Sequence, residues 1–78
     1  MKYESVSMHG GYWVAIAADT QRSDGKPYFV NIYEVDPRDY KPDYSVYRDG
    51  FRTILQAIVW ARGGIDRGDI PFAADQSK

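Results

Sequence analysis

The stretch Asp49 to Arg62, D-G-F-R-T-I-L-Q-A-I-V-W-A-R, limits what this chain can fold into more than any other. On a wheel at ~100° per residue, Phe51, Ile54, Leu55 and Ile58 share one arc, with Val59 at its edge. Arg52, Thr53 and Gln56 lie on the other side, and Trp60 stands nearly opposite the centre of the arc. The spacing predicts an amphipathic helix whose apolar arc rests on a sheet. Asp49 reads as its N-cap, since a carboxylate can accept from the unpaired N–H groups of the first turn. Arg62 suits the negative end of the helix dipole, and Gly63-Gly64 reads as the left-handed stop.

The rest of the chain supplies the sheet. Tyr12 to Ala18 (Y-W-V-A-I-A-A) and Tyr28 to Val35 (Y-F-V-N-I-Y-E-V) are rich in aromatic and β-branched residues, and both read as strands. Asp24-Gly25 supplies a positive-φ position for the turn between them, and Pro27 marks entry to the second strand. Arg38 to Asp43 reads as a loop, and Tyr44 to Arg48 as a third, shorter strand. Tyr3, Val6 and Met8 form a stretch that either begins a strand or lies loosely along the sheet. His9-Gly10-Gly11 reads as a bend or bulge.

These elements predict an α+β fold: a three-stranded antiparallel meander with one C-terminal amphipathic helix packed on one face. Residues 1–72 make a single domain, with Ile65, Ile70 and Phe72 free to fold back on the body, and residues 73–78 are a frayed tail. The expected core is Val14, Ile16, Val30, Ile32 and Val46 against Phe51, Ile54, Leu55 and Ile58. That arrangement turns Trp13, Phe29, Asn31, Tyr33 and Tyr47 to the opposite sheet face. The inverse arrangement, with Trp13 and Phe29 under the helix and the aliphatics outward, stays open, because Ala15 and Ala17 could also make room for a helix.

Function classes are narrowed by what the chain carries. It has no cysteine and a single histidine, so no disulfide, thiolate site or His cluster can form within it, and no metal or cofactor is expected. His9 has no carboxylate or nucleophile near it in sequence. No nucleophile elbow, H-E-x-x-H helix or phosphate-binding loop is present, so an enzyme is not expected. Arg67-Gly68-Asp69 matches the tripeptide that integrins bind, a triplet that arises readily by chance. The 10 basic and 11 acidic residues are interleaved, which disfavours nucleic acid as the partner. No run approaches the ~18 apolar residues of a membrane span, and the N-terminus lacks an apolar signal core. The expected location is the cytoplasm.

Aromatic residues make up 15 % of the chain, among them seven Tyr and two Trp, more than a domain of this size can bury completely. Tyr, Trp and Arg are the residues that protein interfaces favour. Trp13, Tyr33, Tyr47 and Trp60, with Arg48 and Arg52, are therefore the candidate partner-binding residues. An aromatic sheet face could instead stack nucleic-acid bases, and Trp60 could join two copies in a homodimer.

The segment Val46 to Ala61, V-Y-R-D-G-F-R-T-I-L-Q-A-I-V-W-A, closes a layout of three strands and a helix in a small cysteine-free chain. In size and layout the chain resembles some anti-CRISPR proteins of phages and mobile elements. That resemblance implies a single-domain inhibitor that binds a host defence complex stoichiometrically in the bacterial cytoplasm. It assigns no functional residue.

Overall fold

The computed structural model describes residues 3–39 and 46–69. Among these residues the sheet has four antiparallel strands in the order β1-β2-β3-β4, followed by one helix: β1 Ser5–His9, β2 Tyr12–Ala18, β3 Tyr28–Tyr33, β4 Val46–Phe51 and α1 Ile54–Arg67. The fold is α+β, as expected, but the meander has four strands rather than three.

The extra strand is β1, and the two glycines after it create it. His9 pairs with Tyr12, so Gly10 and Gly11 are the two central residues of a tight hairpin. Their φ angles are 57° and 84°, the positive pair that the favoured two-residue hairpin turn requires. The expected bend is therefore a hairpin turn, and it brings Ser5 to His9 into register with Tyr12 to Ile16.

The last strand and the helix both differ from their expected bounds. Within the described residues β4 runs to Phe51, so Asp49 caps nothing and Phe51 belongs to the sheet. Tyr44 and Ser45, expected in this strand, lie outside the described residues. Phe29 pairs with Asp49 while Tyr28 pairs with Phe51, which leaves Gly50 as an extra residue with φ 85°. This is a bulge of the kind glycine permits. Strand residues alternate between faces, so without the bulge Phe51 would turn away from the helix. With it, Phe51 pairs with Tyr28 and packs against the core.

Helix α1 begins at Ile54 and is capped by Thr53, whose Oγ1 accepts from the Gln56 N–H at 3.1 Å. The Gln56 Oε1 in turn accepts from the Arg52 N–H at 2.9 Å. One first-turn donor that no helical carbonyl can reach, the Gln56 N–H, is thus served, and so is the N–H of the residue just before the cap. The helix does not stop at Gly63-Gly64. It runs on to Arg67 and ends at Gly68, φ 75°, with Gly68 N–H donating to Ile65 O (3.1 Å) and Asp69 N–H to Gly64 O (2.8 Å). That bond pair is the Schellman stop.

The core is Val14, Ile16, Val30 and Ile32 from the sheet against Ala57 and Ala61 from the helix. The aliphatic face of the sheet thus meets the helix, and the inverse arrangement is not adopted. The helix itself is rotated from expectation by roughly 80° at ~100° per residue. Its buried residues are Ala57, Ala61 and Gly64, while Ile54, Ile58, Trp60 and Ile65 are partly buried beside them. Leu55, expected in the core, is 68 % exposed. The reason is steric: a face of methyl groups and a glycine lets the helix backbone approach the sheet, so the larger side chains flank the contact. Ile70 and Phe72, expected to fold back, and the expected frayed tail lie outside the described residues. No described helix is long and apolar enough to cross a membrane.

The hairpin turn and the helix meet at one point. A Cβ at Gly10 would lie 2.7 Å from Ile65 Cγ2, whereas one at Gly25, also at positive φ, meets nothing within 4 Å. Both Gly→Ala changes incur the left-handed penalty of about 1–2 kcal/mol, and Gly10→Ala adds a clash. Urea unfolding should show Gly10→Ala less stable than Gly25→Ala by about 1 kcal/mol or more.

Candidate protein-binding surface

The six candidate residues divide between the two faces of the sheet. On the side away from the helix, Trp13 pairs with Tyr33 and Asn31 with Tyr47. Ala15 and Ala17 on this face are fully buried although no described helix covers them. Tyr33 is only 8 % exposed, and its hydroxyl is hydrogen-bonded to that of Tyr3 at 3.0 Å. Trp13 is half-buried, with the Arg38 guanidinium over its ring at 5.6 Å.

Asp36 holds Arg38 in that position. The Arg38 backbone N–H donates to Asp36 Oδ1 at 2.9 Å, and its guanidinium reaches both carboxylate oxygens at 3.1 and 2.9 Å. Those bonds hold the Asp36 carboxyl below its ordinary range, the side-chain bond from Arg38 being the main cause. The loop after β3 therefore folds back over one end of the aromatic face.

Tyr47, 56 % exposed, is the open ring on this side, tilted against Phe29 at 5.7 Å between centroids. Both line a cleft of about 400 Å³ with Ala18, Asp19, Thr20 and Arg22. The polar groups at this cleft satisfy one another: Arg22 bonds Asp24 at 2.6 Å and Asp49 at 3.0 Å, and the Tyr47 hydroxyl donates to Asp49 at 3.2 Å.

Arg48, Arg52 and Trp60 lie on the helix side. Trp60 is half-buried between the helix and β4, its ring 5.9 Å from that of Phe51 and 5.7 Å from the Arg48 guanidinium carbon. Ile65 packs on the core, and Ile70 and Phe72, which would decide whether the tail reaches Trp60, lie outside the described residues. Phe51, Leu55, Gln56, Val59 and Trp60 line an apolar groove of about 540 Å³. Leu55 and Val59, 68 and 62 % exposed, form its outer rim one helical turn apart. The expected helix arc held both residues on its apolar side, and the groove emerges only once Ala57 and Ala61 take the core positions.

Two further groups acquire partners that the sequence does not suggest. His9 Nε2 lies 2.8 Å from Asp66 Oδ1, joining the turn end of β1 to the last turn of α1 across 57 positions. In the integrin-like triplet, Arg67 Nε donates to Asp69 Oδ2 at 2.8 Å. Among the described residues no group of three or more His, Asp or Glu is placed to hold a metal ion.

Comparison with protein families, with curated proteins and with solved structures yields no match to this chain.

Tyr33 gives the geometry of the sheet face a readout. Burial, with the Tyr3 hydrogen bond second, raises its phenol above the ordinary value of 10.0. A raised phenol pKa favours the neutral native state. Its contribution is complete below the unfolded value of about 10 and is lost as pH rises beyond it. In an alkaline titration stability should fall progressively once pH rises beyond about 10, as the native state resists ionisation of Tyr33. Tyr33→Phe should cost about 1 kcal/mol at neutral pH, the scale of one hydrogen bond, and flatten the alkaline loss.

Proposed function

We propose that this chain is a non-enzymatic protein-binding module that docks its partner on the outer face of α1. The observation that carries the reading is the exposure of Leu55 and Val59 beside Phe51 and Trp60. Single exposed aliphatics are ordinary on a protein surface, but a contiguous groove of four apolar side chains is a mark of an interface. It combines a Trp with flanking arginines, the residue types that dominate binding energy in protein interfaces.

The narrower form of the proposal is a stoichiometric inhibitor of a CRISPR-Cas defence complex in a bacterial cytoplasm. It rests on the resemblance in size and strand-helix layout to phage-encoded inhibitors. The nucleic-acid reading has less support, because among the described residues Tyr33 is buried and Trp13 carries Arg38, leaving Tyr47 as the open ring on that sheet face.

The test is plaque formation by a targeted phage on cells carrying an active CRISPR-Cas system, with and without the chain. Expression should restore plaques, and the double variant Leu55→Asp, Val59→Asp should abolish the rescue while retaining its thermal unfolding midpoint. Restoration of plaques by the double variant would place the interface elsewhere. No rescue by the native chain in any CRISPR type would remove the inhibitor reading.

A further inference from the structure

The charge around the α1 groove is of one sign. Arg48 stands over Trp60, which lines the groove. Arg52 adjoins the groove through its N–H bond to Gln56. Arg62 lies three residues beyond Val59 and seven beyond Leu55, on the same exposed helix face. None of the three is in an ion pair within the described residues, whereas Arg22, Arg38 and Arg67 each hold an aspartate. The first turn of α1 has no acid, and Asp66, the sole carboxylate of the helix, is bonded to His9. Asp49, next to Arg48 in sequence, is taken by Arg22 and Tyr47 on the other face of the sheet. The result is an apolar groove rimmed by three arginines whose charge nothing described offsets.

The lining of the groove limits the occupant's backbone. Apart from Gln56 its walls are side chains of Phe, Leu, Val and Trp, and the Gln56 Oε1 already accepts from Arg52. An extended segment entering this groove would leave its own N–H and C=O groups without partners, a cost of about 1–3 kcal/mol for each buried group. A helix brings its backbone bonds with it. Nucleic acid would suit the arginines but not the apolar wall, since the two rings of the groove, Phe51 and Trp60, are half-buried against each other at 5.9 Å and the exposed Leu55 and Val59 offer no ring on which to stack a base.

We infer that the groove receives an acidic amphipathic helix of a partner protein. This rests on the protein-binding reading above and deepens it. Aliphatic residues of the partner helix at i, i+3 or i+4, and i+7 fill the space between Leu55, Val59, Phe51 and Trp60. Glutamates or aspartates on its flanks meet Arg48, Arg52 and Arg62.

The test uses the full-length chain and designed helical peptides with leucines every three or four residues. One peptide carries glutamates on both flanks, a second carries lysines there, and a third is the glutamate peptide scrambled. Fluorescence anisotropy of the labelled peptides should show saturable binding of the glutamate peptide alone, tightening as salt is lowered. Leu55→Asp with Val59→Asp should weaken it about tenfold or more. Arg52→Glu with Arg62→Glu should reverse the preference towards the lysine peptide, and that gain of binding shows that the variant is folded.

Equal binding of the two charged peptides, or none of the glutamate peptide, overturns the inference. So does a monomer-dimer equilibrium abolished by Leu55→Asp, which would make a second copy the occupant. It is also overturned if the glutamate peptide binds only after residues 70–78 are removed, which would make that segment the occupant. Binding of a single-stranded oligonucleotide lost in Arg52→Glu, Arg62→Glu would assign the rim to nucleic acid. Plaque rescue without peptide binding removes this inference alone. Peptide binding without rescue removes the inhibitor reading and leaves the groove's occupant standing.

Discussion

The close seat of α1 on the sheet sets the rest of the molecule. Ala57, Ala61 and Gly64 bring one methyl, one methyl and no side chain to the contact, and all three are buried. Val14, Ile16, Val30 and Ile32 fill the other side of it with negligible exposure. Close packing of this kind gathers many small dispersion contacts that a longer spacer would forfeit. Its consequence is a sorting of the larger helix residues. Ile54, Ile58 and Ile65 wedge along one flank, Trp60 with Phe51 closes the flank at β4, and Leu55 and Val59 are left outside. The exposed groove is thus a by-product of how the core is built, and so is its position beside the arginines of β4 and the outer helix face.

Backbone devices hold this arrangement in place. The glycine pair at 10–11 folds β1 onto β2, and Gly10 sits where no side chain could pass Ile65. The Gly50 bulge turns Phe51 under the helix, so that its ring reaches Trp60. Beyond the sheet, His9 with Asp66 ties the first hairpin to the end of the helix at 2.8 Å. The His9–Asp66 contact joins segments 57 positions apart, and an exposed side-chain contact of this kind contributes at most about 1 kcal/mol. The main stabilising term is burial of aliphatic surface, worth ~1.5–3 kcal/mol for each fully buried Val or Ile before entropy.

Much of this was legible in the residues. Alternation locates the strands of Tyr12–Ala18 and Tyr28–Val35, the second of which ends two residues early at Tyr33, and the aliphatic face meets the helix as expected. A wheel read by its large apolar side chains passes over Ala57 and Ala61, yet these two alanines form the contact. Thr53-Ile54-Leu55-Gln56 carries the T-x-x-Q pattern of a capping box, a more specific start signal than the aspartate four residues earlier. Gly10-Gly11 between two alternating runs carries the hairpin signal that would have located β1. Gly63-Gly64 looked like a stop, but a small residue at 64 serves the buried face and Gly68 ends the helix. The groove was not legible at all, since it depends on a rotation about the helix axis and on a one-residue bulge in β4.

The rotation of α1 is the central claim, and thermal unfolding of two variants tests it directly. Ala61→Leu places a large side chain where the helix touches the sheet and should cost about 1–3 kcal/mol. For a domain of this size each kcal/mol corresponds to roughly 4–8 °C in midpoint. Leu55→Glu, on the outer face, should stay within about 0.5 kcal/mol of the native chain. The opposite pattern, with Leu55→Glu unfolding the domain and Ala61→Leu tolerated, would mean that the large apolar arc faces the sheet after all.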